Sequence, residues 1–234
     1  MQLFYNPDIK SGQADFSFDK EESRHIIKVL RKNTGDKLQV TNGMGFLFDV
    51  EISIASESKC IVKIVDSQFF EPRPYRLHLA VAPTKMNERY EWFLEKATEI
   101  GIDEITPLIC DRSERKVVKI DRFEKIAVSA MKQSAQYYLP KLNEAVTFKT
   151  LVSAEDDSVK CIAHCIENEK QTLKSVVKPN HKITILIGPE GDFTEKEIEL
   201  ALAKNFIPVS LGHTRLRTET AAVVAAHSVA FLNE

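Results

Sequence analysis

The chain has 234 residues, of which 43% are hydrophobic and 28% charged, and its formal net charge is −2. That length can bury a core in one large or two small domains, the composition excludes disorder, and the charge excludes a uniformly basic nucleic-acid binder while allowing local basic clusters. No apolar run reaches the roughly 18 residues needed to span a bilayer, and Met1 to Pro7 has no basic segment followed by an apolar one, so a cytoplasmic protein without membrane partners is expected.

Glu21 to Lys32 places Ile26, Ile27 and Leu30 on one face of a predicted helix and turns Arg24, Lys28, Arg31 and Lys32 outward. From Lys37 to Phe70 apolar and polar residues alternate. Asn42-Gly43 separates Leu38-Gln39-Val40 from Phe46 to Ile54, and a further run covers Cys60 to Val65, which predicts a short antiparallel meander. Glu71-Pro72-Arg73-Pro74 then breaks regular structure and divides the chain into residues 1–71 and 72–234. After Tyr75 the rhythm becomes strand, helix, strand: Leu77 to Ala82, Asn87 to Ile100 with Gly101 as its C-cap, and Ile105 to Cys110. Asp121 is expected to cap a second helix carrying Phe123, Ile126, Ala127, Ala130 and Met131 on its inward stripe. Val159 to Ile166 and Ile183 to Ile187 read as buried strands, and Thr194-Glu195-Lys196-Glu197 is a capping box opening a helix through Ile198, Ala201 and Leu202. An Ala- and Val-rich helix from Glu219 to Leu232 closes the pattern, and the alternation predicts an α/β fold with a mostly parallel sheet covered on both faces.

Cys60, Cys110, Cys161 and Cys165 are too few and too scattered for a disulfide framework. Cys161, His164 and Cys165 lie close together, but no second ligand pair at zinc-site spacing accompanies them, so buried thiols are expected and a metal is not.

Two segments carry the chemistry. Ile187-Gly188-Pro189-Glu190-Gly191-Asp192-Phe193 and Leu211-Gly212-His213-Thr214-Arg215-Leu216-Arg217-Thr218-Glu219-Thr220-Ala221 each end an apolar strand in a Gly-containing loop and open a helix, at the sheet edge where open α/β folds bind ligands. Neither Gly-x4-Gly-Lys-Ser/Thr nor Gly-x-Gly-x-x-Gly occurs, and Glu190 with Asp192 would repel phosphate. Two carboxylates there suit a cationic or donor-bearing ligand such as a sulfonium or an adenine amino group, or else merely complement a helix dipole. Arg217 is suited to a phosphate or base edge with Glu219 orienting it or accepting a proton; the plain alternative is a surface ion pair at a helix start.

The two loops together, with His25-Ile26-Ile27-Lys28-Val29-Leu30-Arg31 before Gly35-Asp36, Lys96-Ala97-Thr98-Glu99-Ile100-Gly101, Arg112-Ser113-Glu114-Arg115, and Lys132-Gln133-Ser134 with Pro140, closely resemble the RsmE family of ribosomal RNA methyltransferases. The resemblance covers nearly the whole chain. It implies a SPOUT-superfamily enzyme with an N-terminal PUA-like β-barrel for RNA binding and an α/β domain threaded into a trefoil knot. It also implies a homodimer that uses S-adenosylmethionine to methylate N3 of one uridine in 16S small-subunit ribosomal RNA, free or in an assembling 30S particle. Ile187, Gly188, Pro189, Glu190, Gly191, Leu211, Gly212 and Leu216 would hold the cofactor largely through backbone groups, and Arg217 would orient the uridine with Glu219 as support or proton acceptor. Arg24, Lys28, Arg31, Lys85, Arg112 and Arg115, with Lys32 and Lys116, would meet backbone phosphates. The sequence departs from the family pattern at Asp192, where a second Gly is usual, and at Gln136 and Thr214, where Arg is common; Arg215 stands beside the latter. A nonenzymatic RNA-binding protein, and a hydrolase holding a metal on Glu190 and Asp192, are the competing readings.

Overall fold

In the computed structural model, which describes residues 2–166 and 169–234, the chain forms two units. One comprises residues up to Pro72 together with Met131–Leu139, and the other comprises Arg73–Ala130 with Pro140–Glu234.

The first unit contains β1 (Leu3–Tyr5), β2 (Asp15–Ser17), α1 (Lys20–Arg24), β3 (Lys37–Thr41), β4 (Phe46–Ile54) and β5 (Ile61–Phe69). Asp19 caps α1 by accepting from the Glu22 amide at 2.7 Å. The helix predicted through Lys32 is shorter: α1 passes into a π-helical turn, His25–Val29, which leaves Ile26 fully buried, and Arg31 ends the run in the left-handed region at φ 55°. The meander β3-β4-β5 forms as the alternation predicts, and its inward residues Leu38, Val40, Phe48, Val50, Ile52 and Val62 share one core with Phe4 of β1 and Phe16 of β2. Neither short flanking strand was legible; β1 pairs β3 in parallel and β2 pairs β5 antiparallel, giving the order β1-β3-β4-β5-β2. Among the described residues, β1 and β2 stand at the two ends of this hydrogen-bonded order.

Residues of the segment 131–139 complete this unit. The Gly45 amide donates to the Tyr137 carbonyl at 2.9 Å, the Leu139 amide to the Gly43 carbonyl at 2.9 Å, and the Tyr138 hydroxyl to the Phe70 carbonyl at 2.7 Å. Phe70 and Tyr137 rings lie 4.4 Å apart, and Lys132 reaches Glu22 at 3.1 Å.

The second unit runs β6 (Arg76–Val81), α2 (Asn87–Ile100), β7 (Glu104–Ile109), α3 (Ile120–Gln133, whose last residues belong to the first unit), β8 (Lys141–Leu142), β9 (Val146–Thr147) and α4 (Phe148–Ser153). It continues with β10 (Val159–Ala163), β11 (Gln171–Thr172), α5 (Leu173–Val176), β12 (Lys182–Ile187), α6 (Glu195–Ala203), β13 (Ile207–Ser210) and α7 (Thr218–Phe231). Its strands are all parallel in the order β11-β13-β10-β12-β6-β7-β8, with β9 also on β7. Alternate residues supply both faces. Ile183, Ile185 and Ile187 pack with Leu77 and Leu79 against α2 and α7, while Leu186 and Ala80 pack with Phe193 against α4 and α6. Small side chains at Ala222, Ala225 and Ala226 let α7 lie close to that layer. Gly101 caps α2 at φ 106°, and Thr194 with Glu197 forms the capping box of α6. Asp121 does not cap α3; the helix begins one residue earlier, so the carboxylate sits in the first turn, where it complements the positive helix end.

Candidate active site

The carboxyl ends of β10, β12 and β13 are neighbours because Ala163 stands in register with both Ile187 and Val209. The loops that leave these three strands line a cavity of about 670 Å³, within the range of roughly 300–1,000 Å³ usual for small-molecule sites. Ile187, Gly188, Pro189, Glu190, Leu211, Gly212, Leu216 and Arg217 all line it. Gly191 is exposed just behind the first loop, and Glu219 lies away from the cavity.

Local chemistry fixes the first loop. A Cβ on Gly188 would come within 3.1 Å of the Phe193 ring, tighter than ordinary contact, so glycine lets the loop and ring approach without displacing either. The Thr218 hydroxyl, buried at the start of α7, donates to the Gly188 carbonyl at 3.0 Å and so joins the second segment to the first. The carboxylates expected to complement a ligand or a helix dipole instead fasten backbone. Glu190 Oε1 accepts from the Lys85 amide at 3.0 Å, and Asp192 accepts from the amides of Cys165 at 2.8 Å and Phe193 at 2.9 Å. Asp192 adopts φ 65°, a left-handed position that explains why glycine suits it and that its two carboxylate hydrogen bonds offset. Around the second loop the requirement is conformational: Gly212 sits at φ 145° with nothing within 4 Å of where a Cβ would stand.

Basic residues of the second unit are partly committed to this scaffold. Arg112 donates to the carbonyls of Gly191 at 2.9 Å and Phe193 at 3.3 Å; Arg115 donates to those of Thr84 at 3.2 Å and Lys85 at 2.8 Å. Lys85 pairs with Glu114 at 2.9 Å on the surface. In the first unit Arg24, Lys28 and Arg31 are exposed. Arg217 is exposed and occupies the N-cap of α7 without a side-chain cap bond, while Glu219 is buried against α2, 3.8 Å from the Arg89 guanidinium.

Sequence reasoning missed the third wall, built by Ala163, His164, Cys165 and Lys170 after β10. The spacing of Cys161, His164 and Cys165 raises a metal site only to favour buried thiols, and neither reading points to a cavity wall. Among the described residues no group of three or more His, Cys, Asp and Glu side chains is gathered to hold a metal. Cys60, Cys110 and Cys161 are buried, and burial pushes the Cys161 thiol up to about 12; Cys165, expected to be buried, is exposed because β10 ends at Ala163. Among the described residues, no helix is long and apolar enough to cross a membrane.

A second cavity, about 570 Å³, lies at the opposite edge of the sheet among Arg76, Glu104, Asp156, Lys182 and Thr184. Its polar groups satisfy one another: His78 bonds Thr106 at 2.7 Å, Asn143 donates to Glu104 at 2.7 Å, and Asp156 accepts from both Ser158 and Thr184. The first cavity differs in keeping a buried imidazole, that of His164, without a hydrogen-bond partner among the described residues.

Comparison with known proteins identifies the family. Residues 71–230 match the RNA methyltransferase domain family, and residues 18–65 match the RNA methyltransferase PUA domain. The ribosomal RNA small subunit methyltransferase E of Buchnera aphidicola subsp. Acyrthosiphon pisum is 32% identical, over 96% of this chain and 90% of its own length. A probable rRNA-methyltransferase from Porphyromonas gingivalis shares the fold at TM-score 0.93 with 40% identity, covering 100% of this chain and 98% of that one. The ribosomal RNA small subunit methyltransferase E from Neisseria gonorrhoeae, crystallised bound to S-adenosyl methionine, superposes at TM-score 0.88 with 25% identity, covering 100% and 98%. With a domain match over most of its length and a relative this similar from end to end, the chain belongs to the ribosomal RNA small subunit methyltransferase E family, RsmE.

Proposed function

We propose that this chain methylates 16S small-subunit ribosomal RNA using S-adenosylmethionine bound in the three-walled cavity, and that the accepting atom is N3 of a uridine. The observation that carries the reading is the cavity itself, at the carboxyl edge of a parallel sheet, shaped by Gly188 and Gly212 and closed behind by Thr218. The residues present fit an adenosyl ligand. Apolar walls at Ile187, Leu211 and Leu216 suit a flat base, and the backbone of residues 187–190 and 211–216 suits its polar edge. Support comes also from a relative of the same fold whose crystals contain that cofactor.

The bound cofactor supplies an electrophilic methyl group on sulfur. The chain contributes alignment, which is where most of the acceleration of such a displacement arises. Arg217, exposed at the cavity and just beyond Leu216, orients the uridine. Glu219, buried against Arg89, holds the start of α7 beneath Arg217 and so acts as its support. N3 lies on the pairing edge and the base must be unpaired or extruded to reach the cavity. Exposed Arg24, Lys28 and Arg31 on the PUA-containing residues 1–71, with Lys85, Arg112 and Arg115 on residues 72–234, hold the surrounding phosphates.

In the same reading the α/β domain is a trefoil-knotted SPOUT domain, the enzyme is a cytoplasmic homodimer, and its substrate is ribosomal RNA alone or in an assembling 30S particle. Primer extension on small-subunit RNA from cells lacking the protein tests the reaction, because a methyl on N3 blocks pairing and stops reverse transcriptase. Loss of one strong stop, restored by the gene, is expected; an unchanged stop pattern refutes the assignment.

A further inference from the structure

His164 follows the last residue of β10 and stands between the loops that leave β12 and β13. It is 7% exposed, lines the cavity, and neither Nδ1 nor Nε2 has a hydrogen-bond partner among the described residues. Buried polar atoms in native proteins are almost always paired, so a ring with both nitrogens unpaired in a ligand cavity marks a contact that the ligand completes. Burial lowers the pKa of this imidazole, Lys170 adds to the effect and Asp192 opposes it, so at neutral pH the ring is uncharged with one donor and one acceptor nitrogen.

An uncharged, desolvated ring is matched by an uncharged partner. The sulfonium, ammonium and carboxylate of an adenosylmethionine are charged, and Arg215 lines the same cavity to meet an anionic end. The base is served by apolar side chains and loop backbone. What remains uncharged and polar is the sugar, whose hydroxyls can donate to or accept from either ring nitrogen.

We propose that His164 is a cofactor-binding residue whose imidazole hydrogen-bonds a ribose hydroxyl of the bound adenosyl cofactor. This rests on the reading that the cavity takes S-adenosylmethionine, and it gives Cys161-Ile162-Ala163-His164 a role that the metal-like spacing disguised: the strand delivers the ring, and the thiols take no part.

The test is calorimetric titration of the full chain with S-adenosylhomocysteine and its 2′-deoxy and 3′-deoxy analogues, comparing the wild type with His164→Ala and His164→Gln. His164→Ala is expected to weaken S-adenosylhomocysteine about tenfold, equivalent to about 1.4 kcal/mol, and His164→Gln to restore part of the loss. One deoxy analogue should already be weakened on the wild type and lose nothing more in His164→Ala, the signature of a shared contact. Equal affinity of wild type and His164→Ala overturns the assignment, as does an equal loss for all three ligands. Imidazole nitrogen shifts of His164 in the wild type give a second reading independent of any variant: one ring nitrogen should move on adding S-adenosylhomocysteine, and no movement overturns the contact. Failure of the wild type to bind S-adenosylhomocysteine at all refutes the cofactor reading itself, whereas wild-type binding with an indifferent His164 refutes only this contact.

Discussion

Asp192 shows how one residue carries both strain and its remedy. A left-handed aspartate costs more than glycine there, yet its carboxylate fastens the loop after β10 to the loop after β12 through the Cys165 amide. Asp192→Ala should therefore lower the unfolding free energy by about 2 kcal/mol, since it keeps the strained φ and loses both hydrogen bonds, while Asp192→Gly should lose only about 1 kcal/mol. Urea denaturation at constant slope measures both, and equal losses would show that the backbone angle contributes nothing. Arg217 belongs at the same scale. Arg217→Ala is expected to slow methyl transfer on the order of a hundredfold while cofactor affinity stays nearly unchanged, as expected for a residue that aligns the acceptor. A comparable loss of affinity and rate would place it on the cofactor instead. Neither the latch formed by Asp192 nor the turning of Glu219 toward Arg89 was legible in the sequence, because both depend on partners far away in the chain.

At the scale of elements, the signals that were legible are those whose physics is local. Asn87 to Ile100 begins and ends where its periodicity and Gly101 predict, and the α6 capping box forms because Thr194 and Glu197 need only each other's backbone. Thr194→Ala should lower the unfolding free energy by about 1 kcal/mol and leave the fold intact, readable as a shift in the urea midpoint. A loss well beyond that would mean that Glu197, whose second oxygen accepts from the Asp111 amide at 2.9 Å, had been released as well. The shortening of the first helix into a π-helical turn was not legible, since periodicity sees the apolar face but not the burial of Ile26 that sets the register. Likewise β1 and β2 are three residues each, too short to carry an alternation, and tertiary pairing alone makes them strands.

Across the whole molecule, pH acts through a few groups whose surroundings shift their pKa. Burial lowers the pKa of His78 against the pull of Glu104 and Asp156, with Lys141 assisting, and burial likewise lowers that of His164. Both rings are protonated in the unfolded chain before they are in the folded one, so stability falls as pH drops below about 6.5. Burial raises the pKa of Glu104, but Asn143, His78 and Lys141 outweigh it; burial raises that of Asp156, but Ser158, Thr184 and Lys160 outweigh it, and both carboxyls end below their ordinary values. Their contribution is held above the unfolded carboxyl range and is lost as pH falls through the folded values. Thermal midpoints should therefore decline in two stages, the first beginning near pH 6.5 and the second below about 4.5, and a flat profile from pH 7 to 5 would contradict the histidine stage. The layered sheet was visible in the sequence as alternating strands and helices; the return of residues 131–139 to the first unit was not, because nothing near Tyr137 or Tyr138 announces Gly45 or Phe70 as partners. That return also dictates a schedule for a nascent polypeptide. The opening stretch leaves the exit tunnel early but lacks its closing clasp until Leu139 has emerged, so the amino-terminal module must wait, incomplete, while much of its successor is still being made.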